Sequence, residues 1–280
     1  MMGTRRVATV LLSMSSLAFQ QALSQGTSLA KSIDTTHQSV VAIHRIDPSG
    51  RLLIFSGVLI HPRVVLSAGH VLQTFPGLNN GFVNLGDAAR DSSNRRPFDA
   101  TADVDLHPDF ERFRASLADT TGLNRPTMFL DIALLFLPKE IAQKPVVRLP
   151  KPSILARVTG NQRLVGVGYG FHRTVDSTFT PEFLDGTRRQ WRLSGFSLVN
   201  ESWLSTQCDP ATNLPFISAG DSGGPLLVND SVLVGIWSLT DADQGKDGCP
   251  YSSLAVRIDN PAVLSWINDR IRKRLRVDLR

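Results

Sequence analysis

Between Val40 and Ile258 the chain runs as a succession of short segments rich in Val, Ile, Leu and aromatic residues, each closed by Gly, Pro, Asn or Asp. The clearest are Val40–Ile46, Leu52–Ile60, Arg63–Ser67, Ile132–Leu137, Arg163–Val167, Trp191–Val199, Pro225–Val228, Val232–Ser238 and Ser253–Ile258, with turn clusters such as Pro48-Ser49-Gly50 between them. β-branched and aromatic side chains suit a pleated surface, and regular turn punctuation limits the chain to a sandwich or barrel. The last segment is the exception. Asn260 is placed to cap a helix, Pro261 fits its first position, and Val263, Ile267, Ile271 and Leu275 recur every four residues as an apolar stripe. The expected class is all-β with a C-terminal helix. At 280 residues the chain can form one large β domain or two fused ones.

The start reads as an export signal. Arg5 and Arg6 are followed by the apolar run Val7–Phe19 and by Ala22-Leu23-Ser24, a small-residue cleavage pattern. The run is too short and too interrupted by serine to span a bilayer, and the surroundings of the arginine pair match a twin-arginine signal poorly. Residues 1–24 are therefore expected to be a signal peptide and 25–280 the exported domain, secreted or periplasmic, with no membrane insertion. Two cysteines, Cys208 and Cys249, in an exported chain suggest one disulfide. The net charge of +5 gathers near Arg270, Arg272, Lys273, Arg274, Arg276 and Arg280. A basic helix end could bind anionic polymers or the cell envelope, a solvated helix face is the favoured reading, and no aromatic interleaving supports a nucleic-acid partner.

The chemistry concentrates in Gly220-Asp221-Ser222-Gly223-Gly224-Pro225. A serine hydroxyl is a weak nucleophile that needs a base and donors for the oxyanion it creates, and flanking glycines let backbone N–H groups turn toward a carbonyl. The segment also satisfies G-x-S-x-G, but no histidine follows Ser222 and strands do not alternate with helices, so an α/β-hydrolase is excluded. A base must come from upstream. His70, in Val64-Val65-Leu66-Ser67-Ala68-Gly69-His70-Val71, stands where an apolar strand breaks into small residues that leave an imidazole open. Asp131 precedes the run Ile132–Leu137, where a carboxylate entering the core needs hydrogen bonds. Taken singly, a structural histidine and a turn aspartate remain open readings.

Together the segments around His70, Asp131 and Ser222 resemble the three active-site motifs of the trypsin/chymotrypsin family, in that family's order. Phe55–Ile60, His107-Pro108, Val165–Gly170 and Val234–Ser238 resemble further family segments. A long interval between His70 and Asp131 implies an insertion between Leu72 and Met128. The resemblance implies two six-stranded antiparallel β-barrels with a C-terminal helix, divided at about 140–160, and the triad in the cleft between them. It assigns Ser222 as nucleophile, His70 as base, Asp131 as its orienting carboxylate, and the N–H groups of Gly220 and Ser222 as the oxyanion hole. No metal or cofactor is implied, and the Asp241–Gly248 loop matches calcium loops poorly. Trp191, Trp203, Trp237 and Trp266 read as packing residues.

The same resemblance assigns Asp221 to pairing with an N-terminal ammonium created by propeptide cleavage. No Ile-Val-Gly-Gly-like segment is present, so either cleavage between about Ser24 and Lys31 exposes an atypical end or another group satisfies Asp221. Ser56 and Val71 stand where many members carry a cysteine pair. Cys249 resembles a pocket cysteine whose usual partner position holds Ser218, so a Cys208–Cys249 bridge would be non-standard. Phe216 falls at the pocket floor, with Ser238 on the substrate-pairing strand and Thr240 and Ser253 as walls; without a floor aspartate the implied preference is apolar or small. The expected protein is a monomeric secreted serine endopeptidase acting on polypeptides through an acyl-enzyme. The alternatives are a catalytically silent homologue used as a binding module, and an esterase on the same fold.

Overall fold

The computed structural model describes residues 31–47, 50–74, 80–90, 92–119, 126–141, 144–158, 162–170, 186–193, 195–206, 217–241 and 252–276. The signal-peptide reading, Cys208, Cys249, Phe216 and the loop 242–250 lie outside them. In chain order the strands are β1 (Ser32–Ile33), β2 (Val40–Ile46), β3 (Leu52–His61), β4 (Val64–Ser67), β5 (Asn80–Asn84), β6 (Arg95–Asp99), β7 (Val104–Leu106), β8 (Ala133–Phe136), β9 (Leu164–Gly168), β10 (Arg189–Leu193), β11 (Ser197–Leu198), β12 (Trp203–Thr206), β13 (Pro225–Val228), β14 (Val232–Asp241) and β15 (Ser252–Arg257). The helices are α1 (Gly69–Leu72), α2 (Phe110–Ser116) and α3 (Pro261–Leu275).

These strands form two curled antiparallel sheets. One has the order β6-β5-β2-β3-β4-β8-β7, the other β1-β10-β9-β13-β14-β15-β12-β11. Among the described residues, and counting short edge strands, the sheets hold seven and eight strands. The run Trp191–Val199 is not one strand: it breaks around Gly195, so that β10 pairs with β9 while β11 pairs with β12. Strands β5, β6, β7 and β12 and helix α2 carry weaker patterns. β6, with sequence RRPFD, is an edge strand that buries only Phe98 and therefore shows no apolar run.

The main core is contiguous across both sheets and has fully buried Trp203 as its largest side chain, while a second, smaller cluster in the second sheet is built around Trp191 and fully buried Trp237. Trp203 stacks on Phe113 of α2 at 6.1 Å and donates its indole N–H to the Phe129 carbonyl at 2.8 Å. Helix α3 begins as its sequence implies. Asn260 Oδ1 accepts the Ala262 N–H at 2.8 Å, Pro261 fills the first turn, and Val263, Leu264, Ile267 and Ile271 are buried. Coming from the second sheet, α3 docks back on the first. Trp266 meets His107 edge-on at 4.9 Å, and Arg274 binds Asp105 of β7 at 2.6 Å.

His44 on β2 faces this interior with neither ring nitrogen hydrogen-bonded among the described residues. Burial, helped by the charge of Arg95, lowers its pKa to about 4. Such a residue folds neutral, so its contribution is complete above its unfolded pKa near 6.5 and is lost as the pH falls toward 4. The expected result is that acidification across that window removes stability on the order of 3 kcal/mol through His44 alone. Urea unfolding at several pH values should show a flatter acid limb for His44→Leu than for the native chain. Because His61 and His107 are lowered in the same direction, equal limbs in the two proteins would reject the role of His44.

Candidate active site

Three segments that arrive from different strand ends meet between the sheets. Strand β4 ends at Ser67, Ala68 stays extended with φ −71° and ψ 145°, and α1 then carries His70. Gly69 is required here, because a Cβ would run into the Phe110 ring and approach Asp131. Asp131, fully buried just before β8, meets His70 twice. Its Oδ1 accepts the His70 backbone N–H at 2.8 Å, and its Oδ2 accepts from Nδ1 at 2.6 Å. Because a carboxylate only accepts, the imidazole proton sits on Nδ1 and Nε2 is left as the basic nitrogen. Ser238 Oγ donates to the same Oδ2 at 2.5 Å, so the carboxylate is held by three donors.

Ser222 enters from the other sheet, in the turn before β13. Its Oγ lies 3.4 Å from the Ser238 carbonyl and makes no hydrogen bond to His70. The turn is closely tied: Asp221 N–H donates to Ser218 O, Gly224 N–H to Asp221 O, Gly223 N–H to Trp237 O, and Ser56 N–H to Ser222 O. Gly223, at φ +83°, leaves no room for a side chain, since a Cβ would overlap Ser67 Oγ and the Ser56 carbonyl. Gly220 is also left-handed, at φ +98°. Among the described residues, the backbone N–H groups of Gly220 and Ser222 donate to no protein group, and they flank the same turn.

Two residues passed over in the sequence hold this turn. Ser56 was notable there only as an absent cysteine, yet its Oγ accepts the Tyr169 N–H at 2.9 Å and donates to the Gly220 carbonyl at 2.8 Å, joining the sheets. Lys31 is the other. Its buried ammonium forms an ion pair with Asp221 and also donates to Ser218 Oγ at 3.1 Å. It lies 4.4 Å from the Trp191 ring centroid, giving that tryptophan a cation to face as well as a packing role. Asp221 Oδ1 accepts the Gly170 N–H at 2.9 Å, and its Oδ2 accepts the Ser218 N–H at 2.8 Å. Glycines at 168 and 170 are needed because a Cβ on either would enter the carboxylate. Burial pulls the Lys31 pKa down, while the neighbouring Asp221 charge opposes it. No local pattern marks Lys31 or Ser56; a search for side chains able to reach Asp221 is the signal that finds the first.

Of the pocket residues, Thr240 on β14 pairs with Ser253 on β15. Ser253 is fully buried, and its hydroxyl accepts the Ile217 N–H at 3.2 Å. Ser238 directs its side chain to Asp131 and its carbonyl to Ser222.

The trypsin family model matches residues 35–267. Human kallikrein-4 is 27% identical over 216 residues, 72% of this chain and 74% of the relative. Among solved structures, an inactivated protease paralogue of the scabies mite superposes with TM-score 0.58 at 19% identity, covering 87% of this chain and all of that one. Human heparin binding protein superposes with TM-score 0.57 at 17% identity, covering 88% and 96%. The chain belongs to the trypsin family, whose fold is that of the trypsin-like serine proteases. Since one neighbour of this shape is itself described as inactivated, the shape does not decide activity; the residues at the cleft must.

Proposed function

We propose that the protein is a secreted serine endopeptidase working through His70, Asp131 and Ser222. The observation that carries the reading is the grip of Asp131 on His70, which leaves Nε2 free to act as a base in the cleft that Ser222 enters from the opposite sheet. For the reaction Ser222 Oγ must leave the Ser238 carbonyl and turn to Nε2, a hydrogen bond that is often long before substrate binds. Ser222 Oγ then attacks the scissile carbonyl and its proton passes to Nε2. The imidazolium, stabilised by Asp131, protonates the leaving amine as the acyl-enzyme forms. Water attacks that ester with Nε2 again taking the proton, and the serine is released with the acid product. The N–H groups of Gly220 and Ser222 receive the oxyanion.

Residues 1–24 act as the signal peptide and 25–280 as the catalytic domain, with a Cys208–Cys249 bridge beside the pocket. Phe216, Ser238, Thr240 and Ser253 bound that pocket, and without an acidic floor it selects an apolar or small side chain.

A fluorophosphonate probe with peptide mass spectrometry tests the reading. The expected result is modification at Ser222, none in Ser222→Ala, and a fall in protein-substrate turnover of about 10⁶-fold in that variant. An unlabelled native chain would favour the silent homologue, and labelling with ester but no protein cleavage would favour the esterase.

A further inference from the structure

Asp221 presents a physical problem that the hydrolytic cycle does not use. Its carboxylate is fully buried, next to Ser222 and one residue after Gly220. A buried carboxylate without a cation is costly, and turning outward to water would drag the backbone that carries both unpartnered N–H groups. The Gly170 and Ser218 donors ease this but bring no charge. The charge comes from Lys31, whose side chain is 1% exposed.

The delivery of that ammonium is itself built into the fold. Ser32 and Ile33 form β1 against Gln190 and Arg189 of β10. The Asp34 N–H donates to the Arg188 carbonyl at 2.9 Å, and the Asp34 carboxylate is bound to the buried Arg188 guanidinium at 2.6 Å. The backbone just after Lys31 is thus stapled to the second sheet, and its side chain extends over Trp191 to Asp221.

We infer that Lys31 is a positioning residue whose side-chain ammonium holds the Gly220–Ser222 turn in its working form, so that no α-ammonium need be created by cleavage. This rests on the reading of Ser222 as nucleophile, and it selects the second of the two routes by which Asp221 can be satisfied. Processing on the N-terminal side of Lys31 leaves activity unchanged. A cut between Lys31 and Ser32 releases the ammonium from its staple and switches the enzyme off, the reverse of an activating cleavage.

The test compares native chain, Lys31→Ala and Lys31→Arg, each with its N-terminus sequenced. Two readouts are taken: the rate of fluorophosphonate labelling at Ser222, and hydrogen exchange of peptides spanning 217–224. The expected result is a native chain labelled with Lys31 still attached, and Lys31→Ala slowed about 10²–10³-fold through the limiting labelling rate rather than the half-saturating probe concentration. Exchange in 217–224 rises in that variant, and added propylammonium restores both readouts saturably. Lys31→Arg retains part of the rate. Labelling and exchange of Lys31→Ala equal to the native chain overturn the inference. So does a native chain that labels only after Lys31 has been removed. Loss that propylammonium does not restore, with Lys31→Arg equally impaired, reduces Lys31 to a packing residue and also overturns it. If the native chain is not labelled at all, the nucleophile reading fails separately, and exchange alone decides: an unchanged 217–224 segment in Lys31→Ala rejects the lock, and a loosened one retains it.

Discussion

Asp131→Asn should fold normally and lose about 10⁴-fold in turnover near neutral pH. The reason lies in which of its donors can change role. The His70 backbone N–H facing Oδ1 cannot become an acceptor, so the amide oxygen must take that place. The amide NH₂ then faces Nδ1, where Oδ2 had accepted. Nδ1 must surrender its proton, and the imidazole turns into the tautomer with Nε2–H, which cannot take the proton from Ser222 that the proposed mechanism requires. Ser238 adapts by rotating its hydroxyl to accept, which is why the fold survives. The measurement is kcat and kcat/KM on a peptide substrate together with the thermal unfolding midpoint. A loss below tenfold at unchanged stability would sink the orienting role of Asp131, and unfolding would assign it to the core instead.

Arg188→Met is the variant expected to cost the most stability, about 3–5 kcal/mol. The Arg188 side chain is fully buried, its Nε donating to Asp34 Oδ2 at 2.6 Å and its second NH group reaching Asp87 at 2.8 Å. Asp34 is equally buried. Although burial works against it, hydrogen bonds from His37, Arg188 and Thr36 hold its carboxyl well below the usual range. Removing the guanidinium leaves that carboxylate, among the described residues, with His37 and Thr36. The damage is not local, because the same segment joins three parts of the chain. The Arg188 N–H donates to the Asp87 carbonyl, Asp34 N–H to the Arg188 carbonyl, and Ala89 N–H to Gly186, whose φ of +75° only glycine adopts easily. Nearby, burial raises the Tyr169 phenol to about 12, so it stays protonated and donates to the Gly86 carbonyl at 2.8 Å. Denaturant unfolding of Arg188→Met, Asp34→Asn and the double variant gives the test. The double variant should cost less than the two single losses together, since the second change removes the charge that the first left unpaired. Strict additivity would mean that the pair is not coupled.

Much of this protein was legible in its residues, and for physical reasons that act locally. Strands such as Val40–Ile46 and Pro225–Val228 are continuous apolar runs between turn residues, so their existence and limits follow from the side chains themselves. The start of α3 follows in the same way from Asn260 and Pro261. The tight turn around Ser222 is legible in the same way, because the left-handed backbone at Gly220 and Gly223 leaves glycines in the composition. What remained hidden had no local mark. β6 is polar because it is an edge, and the Trp191–Val199 run divides because β9 and β12 claim its halves. Lys31 reaches Asp221 across 190 positions, Ser238 reaches Asp131 across 107, and Arg188 reaches Asp34 across 154. Each is an ordinary residue in its own neighbourhood. Its role arises because burial makes an unpaired charge or donor expensive, and only the packed chain decides which distant group stands close enough to meet that cost.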